Sequence, residues 1–539
     1  MEPVPADQAP ARHLASELVV VACALFVGCL LAQQTWGSFD EYTLLSDAVR
    51  VAAGQVMYRD FFEFTPPGVI WLAAALVALV GPKAAVIRAV QYALLVCASW
   101  WMQRLARHLG ADPWTAALAG LGLFGVCVAL NIAYSHHWLA LTCVLASAHA
   151  ALTAPAAGWG RWARAGAWAG LTMAFVQVEG LIALSGMLGF IGMRAWLAGE
   201  AWRPAVRRAA CAVAGWAVPV ALMLAVLAWQ GALAGYVHDS WYWPPTHYRQ
   251  PGGINDLRWL TDIRDYIGPM QPVRFGQLRW YAEVFHYLFV ALVPPGTALV
   301  AFAWGLGLIA RRLRTGPGAT AQELATGYVG LLAIASMVVA FKGRVDLSHV
   351  AAYAAPALLL LAAAASRLRQ AAPLPWTYAA TLPTLLLALA IGAGFGSSSL
   401  NLPTRWGPDA GEQWVRSDPT VAWLRAHARP GDTMIAVHGG GYYAFNSLPL
   451  GARLSTIFQA KDRYYDEDQI AGFWADVASG RARFLVADPG PWGSDWTGPP
   501  AGYRLQARFV SLRFGGTVEI YERVAAAGAS GPSAGSGAR

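Results

Sequence analysis

The sequence predicts a polytopic α-helical membrane protein that carries a small α/β domain at its C-terminal end. Of 539 residues, 57% are hydrophobic and only 13% charged, whereas a soluble domain has roughly a quarter charged residues. Apolar runs of spanning length recur between residues 15 and 395, and the mean hydropathy is +0.41. Helices satisfy their own backbone groups in hydrocarbon, so such runs are read as helices. From about residue 396 charges appear throughout and short patterned segments replace the long runs. This composition excludes a water-soluble enzyme. The net charge of +8 does not point to nucleic acid, because membrane proteins concentrate Arg and Lys in cytoplasmic loops. Cys23, Cys29, Cys97, Cys127, Cys143 and Cys211 all lie in apolar segments, which argues against a disulfide framework and a CxxC metal site. No A-x-A site follows the first apolar run, so residues 15–33 read as a retained span.

Apolar segments fall at about 15–33, 67–80, 86–103, 114–132, 137–153, 162–178, 181–198, 209–229, 286–310, 324–341, 350–366 and 376–395. Segment 67–80 covers only about 21 Å as a helix, short of a hydrocarbon core of about 30 Å. Charge decides whether it crosses. If the N-terminus is cytoplasmic and 67–80 does not cross, then Arg104/Arg107, Arg161/Arg164, Arg194/Arg203/Arg207/Arg208, Arg311/Arg312/Arg314 and Arg367/Arg369 are all cytoplasmic. If it crosses, every one of those clusters lies outside. The expectation is therefore eleven spans in residues 1–395, with 67–80 a juxtamembrane or re-entrant helix, and a short true span as the alternative. Residues 34–85, the turns near 133–137 and 178–180, and stretches 230–285 and 342–349 then share the outer face. The C-terminal region follows them there.

In that region, 396–524 forms a small α/β domain and 525–539 a Gly/Ser/Ala tail expected to be disordered. Asp418 caps a short helix with Pro419 at its first position. A Pro430-Gly431-Asp432 turn leads into the strand 433–439; 484–488 and 517–523 are further strands, with helical 466–479 between. His438-Gly439-Gly440-Gly441 lacks phosphate-loop spacing and reads as a strand-to-helix turn. No internal repeat is evident, which weakens a transporter built from inverted halves.

The first outer loop is the richest in chemistry. Phe39-Asp40-Glu41 directly follows the first span, placing two carboxylates at the membrane surface. Residues 40–53 have helical spacing: Tyr42, Leu45, Val49 and Ala52 form an apolar stripe, with Asp40 and Asp47 on the opposite side. Gly54 ends that helix and Pro66-Pro67 open the next. A carboxylate beside a bilayer is a functional candidate, with a cap and dipole partner for the 40–53 helix as the alternative. Asp47 with Arg50 reads as a surface pair.

An acidic pair after a span, then a helix, then Gly54, Tyr58, Arg59, Asp60 and the turn Pro66-Pro67-Gly68, resembles the first extracytoplasmic loop of GT-C fold integral membrane glycosyltransferases. The closest flavour is that of bacterial relatives of protein O-mannosyltransferases and of the lipid A aminoarabinose transferase. The resemblance implies a GT-C-like fold and a polyprenyl-phosphate-linked sugar donor. It also implies juxtamembrane helices in this loop, a first-loop acidic residue as base, and inversion at the anomeric carbon. Asp40 is then the candidate general base, with Glu41 positioning the acceptor or acting as alternative base. Arg59 and Asp60 join the substrate- or phosphate-binding candidates. The leaving phosphate gains charge as the glycosyl bond breaks, so cations there favour the transition state.

Lys342, Arg344 and His349 resemble the family pattern of a basic residue and a His before a span ending in Pro, a region implicated in lipid-phosphate binding; a headgroup anchor or snorkelling pair is the alternative. Ser135-His136-His137 stands where relatives often carry a second acid, leaving His136 or His137 as hydrogen-bonding or phosphate-contacting substitutes. No metal-ligand spacing such as HExxH occurs, and no cofactor is expected beyond a weakly bound divalent cation on one or two carboxylates. Glu179, at a short outer turn, is either a functional acid or an interhelical hydrogen-bond partner. The aromatic stretch 238–253 anchors at the interface or lines an acceptor path with Tyr248 and Arg249.

The expected partners are a polyprenyl-phosphate-linked sugar, a lipid, glycan or protein acceptor, and membrane lipids, without nucleic acid. The leading reading is an inverting glycosyltransferase of the bacterial inner membrane, with a cytoplasmic N-terminus and a periplasmic C-terminal domain. A transporter or lipid flippase and a glycan polymerase or ligase are the alternatives.

Overall fold

The computed structural model describes residues 8–32, 39–130, 134–154, 158–247, 288, 292–342, 350–371, 384, 386, 410–437, 441–454, 467–479, 482–488, 498–499, 501–510 and 516–524. The helical part comprises α1 (Gln8–Ala32), α2 (Phe39–Ala52), α3 (Pro67–Val80), α4 (Ala84–His108), α5 (Pro113–Leu130), α6 (His136–Leu152), α7 (Trp159–Phe175), α8 (Gln177–Leu197) and α9 (Trp202–Trp229). After α9 come the short α10 (Leu233–Val237), a π-helical turn (His238–Tyr242) and α11 (Trp243–His247). Then follow α12 (Val293–Thr315), α13 (Ala321–Lys342) and α14 (Val350–Gln370).

The chain is a multi-pass helical membrane protein: among the described residues, six helices are long and apolar enough to cross a membrane. They are α1, α4, α8, α9, α12 and the first part of α13. α3 is not among them; at 14 residues it is a shorter apolar helix, as the sequence leads one to expect. α5 to α7 have 17–18 residues each, so length alone does not mark them as spans. Segment 376–395 and the tail 525–539 lie outside the described residues.

Small residues bring the helices together. α7 and α9 approach so closely that a Cβ on Gly166 would lie 1.9 Å from the Ala212 carbonyl oxygen, and one on Gly215 1.9 Å from that of Ala163. Apolar surface gains little from association within hydrocarbon, so close backbone packing of this kind is what joins such helices. α1 packs on α4 and α5, α6 on α4 and α7, and α8 on α13, while α14 returns to α5.

The C-terminal part holds α15 (Ala410–Ser417), α16 (Pro419–His427), β1 (Met434–Val437), α17 (Gly441–Asn446), α18 (Glu467–Ala478), β2 (Phe484–Ala487), β3 (Tyr503–Val510) and β4 (Thr517–Arg523). The sheet order is β1-β2-β4-β3. β1 and β2 are parallel, which requires the crossover that α17 and α18 supply, and β4 runs antiparallel to both its neighbours. Asp418 caps α16 as expected, its Oδ1 accepting from Thr420 N at 2.8 Å and Val421 N at 3.2 Å. The sequence reading missed β3. It is an edge strand with Arg504, Gln506 and Arg508 exposed, and its weak apolar alternation hides it.

This domain is continuous with the first loop. α2 packs on α17, where the Tyr42 and Tyr442 rings meet edge-on at 5.1 Å. One apolar core runs through Leu45, Val69 and Tyr134 of the helical part into Met434, Phe445 and Ile520.

Candidate active site at the first-loop end

α2 begins at Phe39 and ends before Gly54, whose φ of +94° is open to glycine at no steric cost. Its first turn sets Glu41 against the end of α4 and the turn before α6. The Asp40 side chain lies outside the described residues. Glu41 is 0% exposed and forms a bidentate ion pair with Arg88 of α4, at 2.7 Å from Nε and 2.6 Å from NH2. Its Oε1 also accepts from Tyr134 N at 3.0 Å. Arg88 stands at the end of α4 away from Arg104 and Arg107. A lone arginine at the first-loop end of a span, where the charge rule does not expect one, was the available signal for this pair.

The turn before α6 continues the wall. Gln91 Oε1 accepts from Ser135 N at 2.7 Å, and Ser135 Oγ caps α6 by accepting from His137 N at 3.3 Å. The His136 and His137 rings lie 4.0 Å apart. His137 Nδ1 lies 3.6 Å from Glu179 Oε1, at the start of α8, and Glu179 Oε2 is buried without a hydrogen-bond partner among the described residues. The structure thus brings Glu41, His136, His137 and Glu179 to the end of the bundle where Asp40 begins α2.

Arg59 and Asp60 lie in the turn after α2. They pair with each other at 2.8 Å; Asp60 Oδ2 accepts from Val56 N, and Arg59 NH1 reaches the Gln230 carbonyl at 3.2 Å. The Arg59 guanidinium holds the Asp60 carboxyl below its ordinary range. Together they tie the loop to the end of α9. Beside them Tyr58 has a φ of +64°, the one non-glycine residue with positive φ among those described, and its hydroxyl donates to the Thr65 carbonyl at 2.6 Å. α10 comes so near that a Cβ on Gly235 would lie 2.3 Å from the Tyr58 carbonyl oxygen.

Asp47 and Arg50 are not a surface pair. Both are buried, 3.9 Å apart, with the Arg50 guanidinium 4.1 Å above the Phe61 ring and donating to Gln55 Oε1. Glu63 is buried with them and hydrogen-bonds to Asp47. Burial and then the neighbouring Asp47 charge push the Glu63 carboxyl up to about 8, so this pair of acids holds a proton at neutral pH. Thr65 N donates to Glu63 Oε1 at 2.7 Å. Beyond Glu63, Asp239 is also raised by burial, an effect that its 2.8 Å contact with His238 Nδ1 partly offsets. The carboxylate of Asp47 faces this cluster, which is why α2 is buried on both sides.

Trp243 is likewise no interfacial anchor. It is fully buried, stacked on Phe64 at 5.6 Å, edge-on to Phe62 at 5.1 Å, and donates to Gln469 Oε1 of α18. Tyr248, Arg249, Arg344 and His349 lie outside the described residues; Lys342 ends α13, and its side chain is also outside them. All six cysteines are free. Among the described residues no group of three His, Cys, Asp or Glu side chains could hold a metal ion.

No family model matches the chain, and no curated protein matches it. Among solved structures the chain is similar to that of ArnT from Cupriavidus metallidurans bound to undecaprenyl phosphate. The two are 15% identical, with 95% of this chain and 98% of that chain covered, at a TM-score of 0.48.

Proposed function

We propose that the chain is an inverting glycosyltransferase that takes a sugar from a polyprenyl phosphate carrier and delivers it to an acceptor hydroxyl at the first-loop end of the bundle. The observation that carries this reading is the convergence there of the start of α2 with His136, His137 and Glu179, around a Glu41 already held by Arg88. The sequence resemblance of the loop to GT-C enzymes supplies the reaction class. In this reading the loop faces the periplasm, the arginine clusters face the cytoplasm across eleven spans of the inner membrane, and 396–524 is a periplasmic domain.

Asp40 takes the proton of the acceptor hydroxyl as its oxygen bonds to the anomeric carbon. The bond from that carbon to the phosphate oxygen breaks, and polyprenyl phosphate leaves as a monoester with one more negative charge. Lys342, Arg344 and His349, with His136 and His137, supply cationic or hydrogen-bonding groups for that charge. Glu41 is a positioning residue: with both oxygens engaged by Arg88 it fixes the first turn of α2, and with it Asp40. Glu179 and His137 offer hydrogen bonds to sugar hydroxyls, and Tyr248 and Arg249 belong to the acceptor path. Glu41 is engaged by Arg88 and Asp60 by Arg59, so a weakly bound divalent cation in this reading falls to Asp40, and no step is routed through it.

The test is transfer from a radiolabelled polyprenyl-phosphate sugar by the purified protein. Asp40→Asn is expected to lose about 10²–10⁴-fold in rate while melting like the parent. Full activity in that variant would sink the assignment of the base. A transporter reading is less favoured because the buried ionisable groups described in the bundle, such as Glu41, Arg88, Glu179 and Arg208, lie toward the ends of the helices and not at mid-length.

A further inference from the structure

The opposite end of the bundle holds a second concentration of charge that the proposed reaction does not use. A cavity of about 690 Å³ opens there, lined by Arg104, Arg107, Arg161, Arg164, Trp101 and Trp168 together with three histidines, His13, His108 and His149. Along α4 it lies about 24 Å from Arg88, at 1.5 Å per residue. No carboxylate among the described residues lines it. The nearest described one, Glu17, accepts from Arg104 at 3.3 Å and pairs with Arg107. Four guanidinium groups therefore stand against one carboxylate.

The cations are not all consumed by the fold. Arg161 donates to the Thr153 carbonyl at 2.7 Å, and Arg104 lies 4.1 Å over the Trp100 ring. Arg104 Nε is nevertheless buried without an acceptor among the described residues, and Arg164 makes no hydrogen bond or ion pair among them. The cavity volume is in the range that holds a small ligand or headgroup. Guanidinium forks suit phosphate oxygens, which accept several parallel hydrogen bonds. The indoles of Trp101 and Trp168, edge-on at 5.8 Å, give one wall an amphipathic surface of the sort found where bilayer meets water.

We infer that this cavity is a binding site for a phosphate-bearing anion, seated on Arg104, Arg107 and Arg164 at the end of the bundle away from the candidate active site. Such a phosphate comes from the headgroup of an acidic membrane phospholipid or from a soluble phosphate compound. Positive charge retained at a loop by the topology rule alone would be spread over the surface; here it converges on a cavity with aromatic walls.

Native mass spectrometry of the purified full chain, titrated with phosphatidylglycerol and with phosphatidylcholine, tests the lipid source. Thermal shift with inorganic phosphate and with ATP tests the soluble one. The expected result is retention or stabilisation by one phosphate class over zwitterionic lipid, weakened at least tenfold in Arg104→Gln/Arg164→Gln. Arg314→Gln, a cation at the end of α12 outside the cavity, is expected to behave as the parent. Arg164→Gln alone, at an exposed position, keeps the test valid if the double variant does not fold. Equal binding by parent and cavity variants, or equal loss in Arg314→Gln, would overturn the inference.

Discussion

Arg88 grips Glu41 with two parallel hydrogen bonds, at 2.7 and 2.6 Å, in a setting closed to solvent. Bringing both ions out of water is costly, and their attraction offsets that cost only while both are present. Glu41→Gln and Arg88→Gln are each expected to destabilise by about 3–5 kcal/mol, because each leaves one buried charge alone. Glu41→Gln combined with Arg88→Met is expected to recover much of the loss. Thermal unfolding in detergent of the single and double variants checks this. Additive losses would show that the pair does not act as a unit.

The helical nature of the chain, the break before α3, Pro67 at its first position and the cap at Asp418 were legible because each depends on local composition or on a residue type with a fixed backbone preference. β1, β2 and β4 were legible for the same reason. Glu41 was visible as a candidate and its partner was not: ion pairing between residues 47 positions apart is decided by tertiary packing. Asp47 and Arg50 have the spacing of a solvent-exposed helix pair, and only the loop that folds over them, with Phe61 and Glu63, makes them buried. Trp243 looked like an interfacial aromatic because nothing local announces that the C-terminal domain covers it.

The Glu63 carboxyl retains its proton to about pH 8 in the folded chain, whereas an unfolded carboxyl loses it near 4.5. Between those values the folded state binds more protons, so stability falls as pH rises through that window, by at most about 1.4 kcal/mol per pH unit for one group. Glu63→Gln keeps the neutral form at every pH. The variant is expected to match the parent near pH 5 and to melt higher than it at pH 8, as read by unfolding midpoints at a series of pH values. A parent whose midpoint rises steadily from pH 5 to 8 would contradict the raised carboxyl.

The contact between α2 and α17 depends on a missing side chain. A Cβ on Gly441 would lie 2.7 Å from the Tyr42 carbonyl oxygen, backbone that has no room to yield. Gly441→Ala is expected to lose about 1–3 kcal/mol and to speed proteolytic release of the C-terminal domain. Gly472 sits in α18 with nothing within 4 Å of its would-be Cβ. Gly472→Ala is expected to stabilise by about 0.5–1 kcal/mol, the helix-propensity difference. Limited proteolysis of both variants alongside the parent separates the two effects.

Glu179 Oε2 is buried without a partner beside His137, and a buried carboxylate oxygen left without a donor is costly to the protein. In the proposed reaction a hydroxyl of the bound sugar or acceptor would supply that donor. Such a contact exists before and during transfer alike, so losing it weakens binding without raising the chemical barrier. Glu179→Gln is therefore expected to raise KM about two- to tenfold with kcat little changed, since a hydrogen bond to an uncharged group contributes about 0.5–1.5 kcal/mol. Asp40→Asn takes the opposite pattern, a fall in kcat. Steady-state kinetics with donor and acceptor varied in turn identifies which substrate Glu179 holds. A Glu179→Gln variant that loses kcat at unchanged KM would instead place this carboxylate at the reacting atoms, and the division of roles between α2 and α8 would have to be reversed.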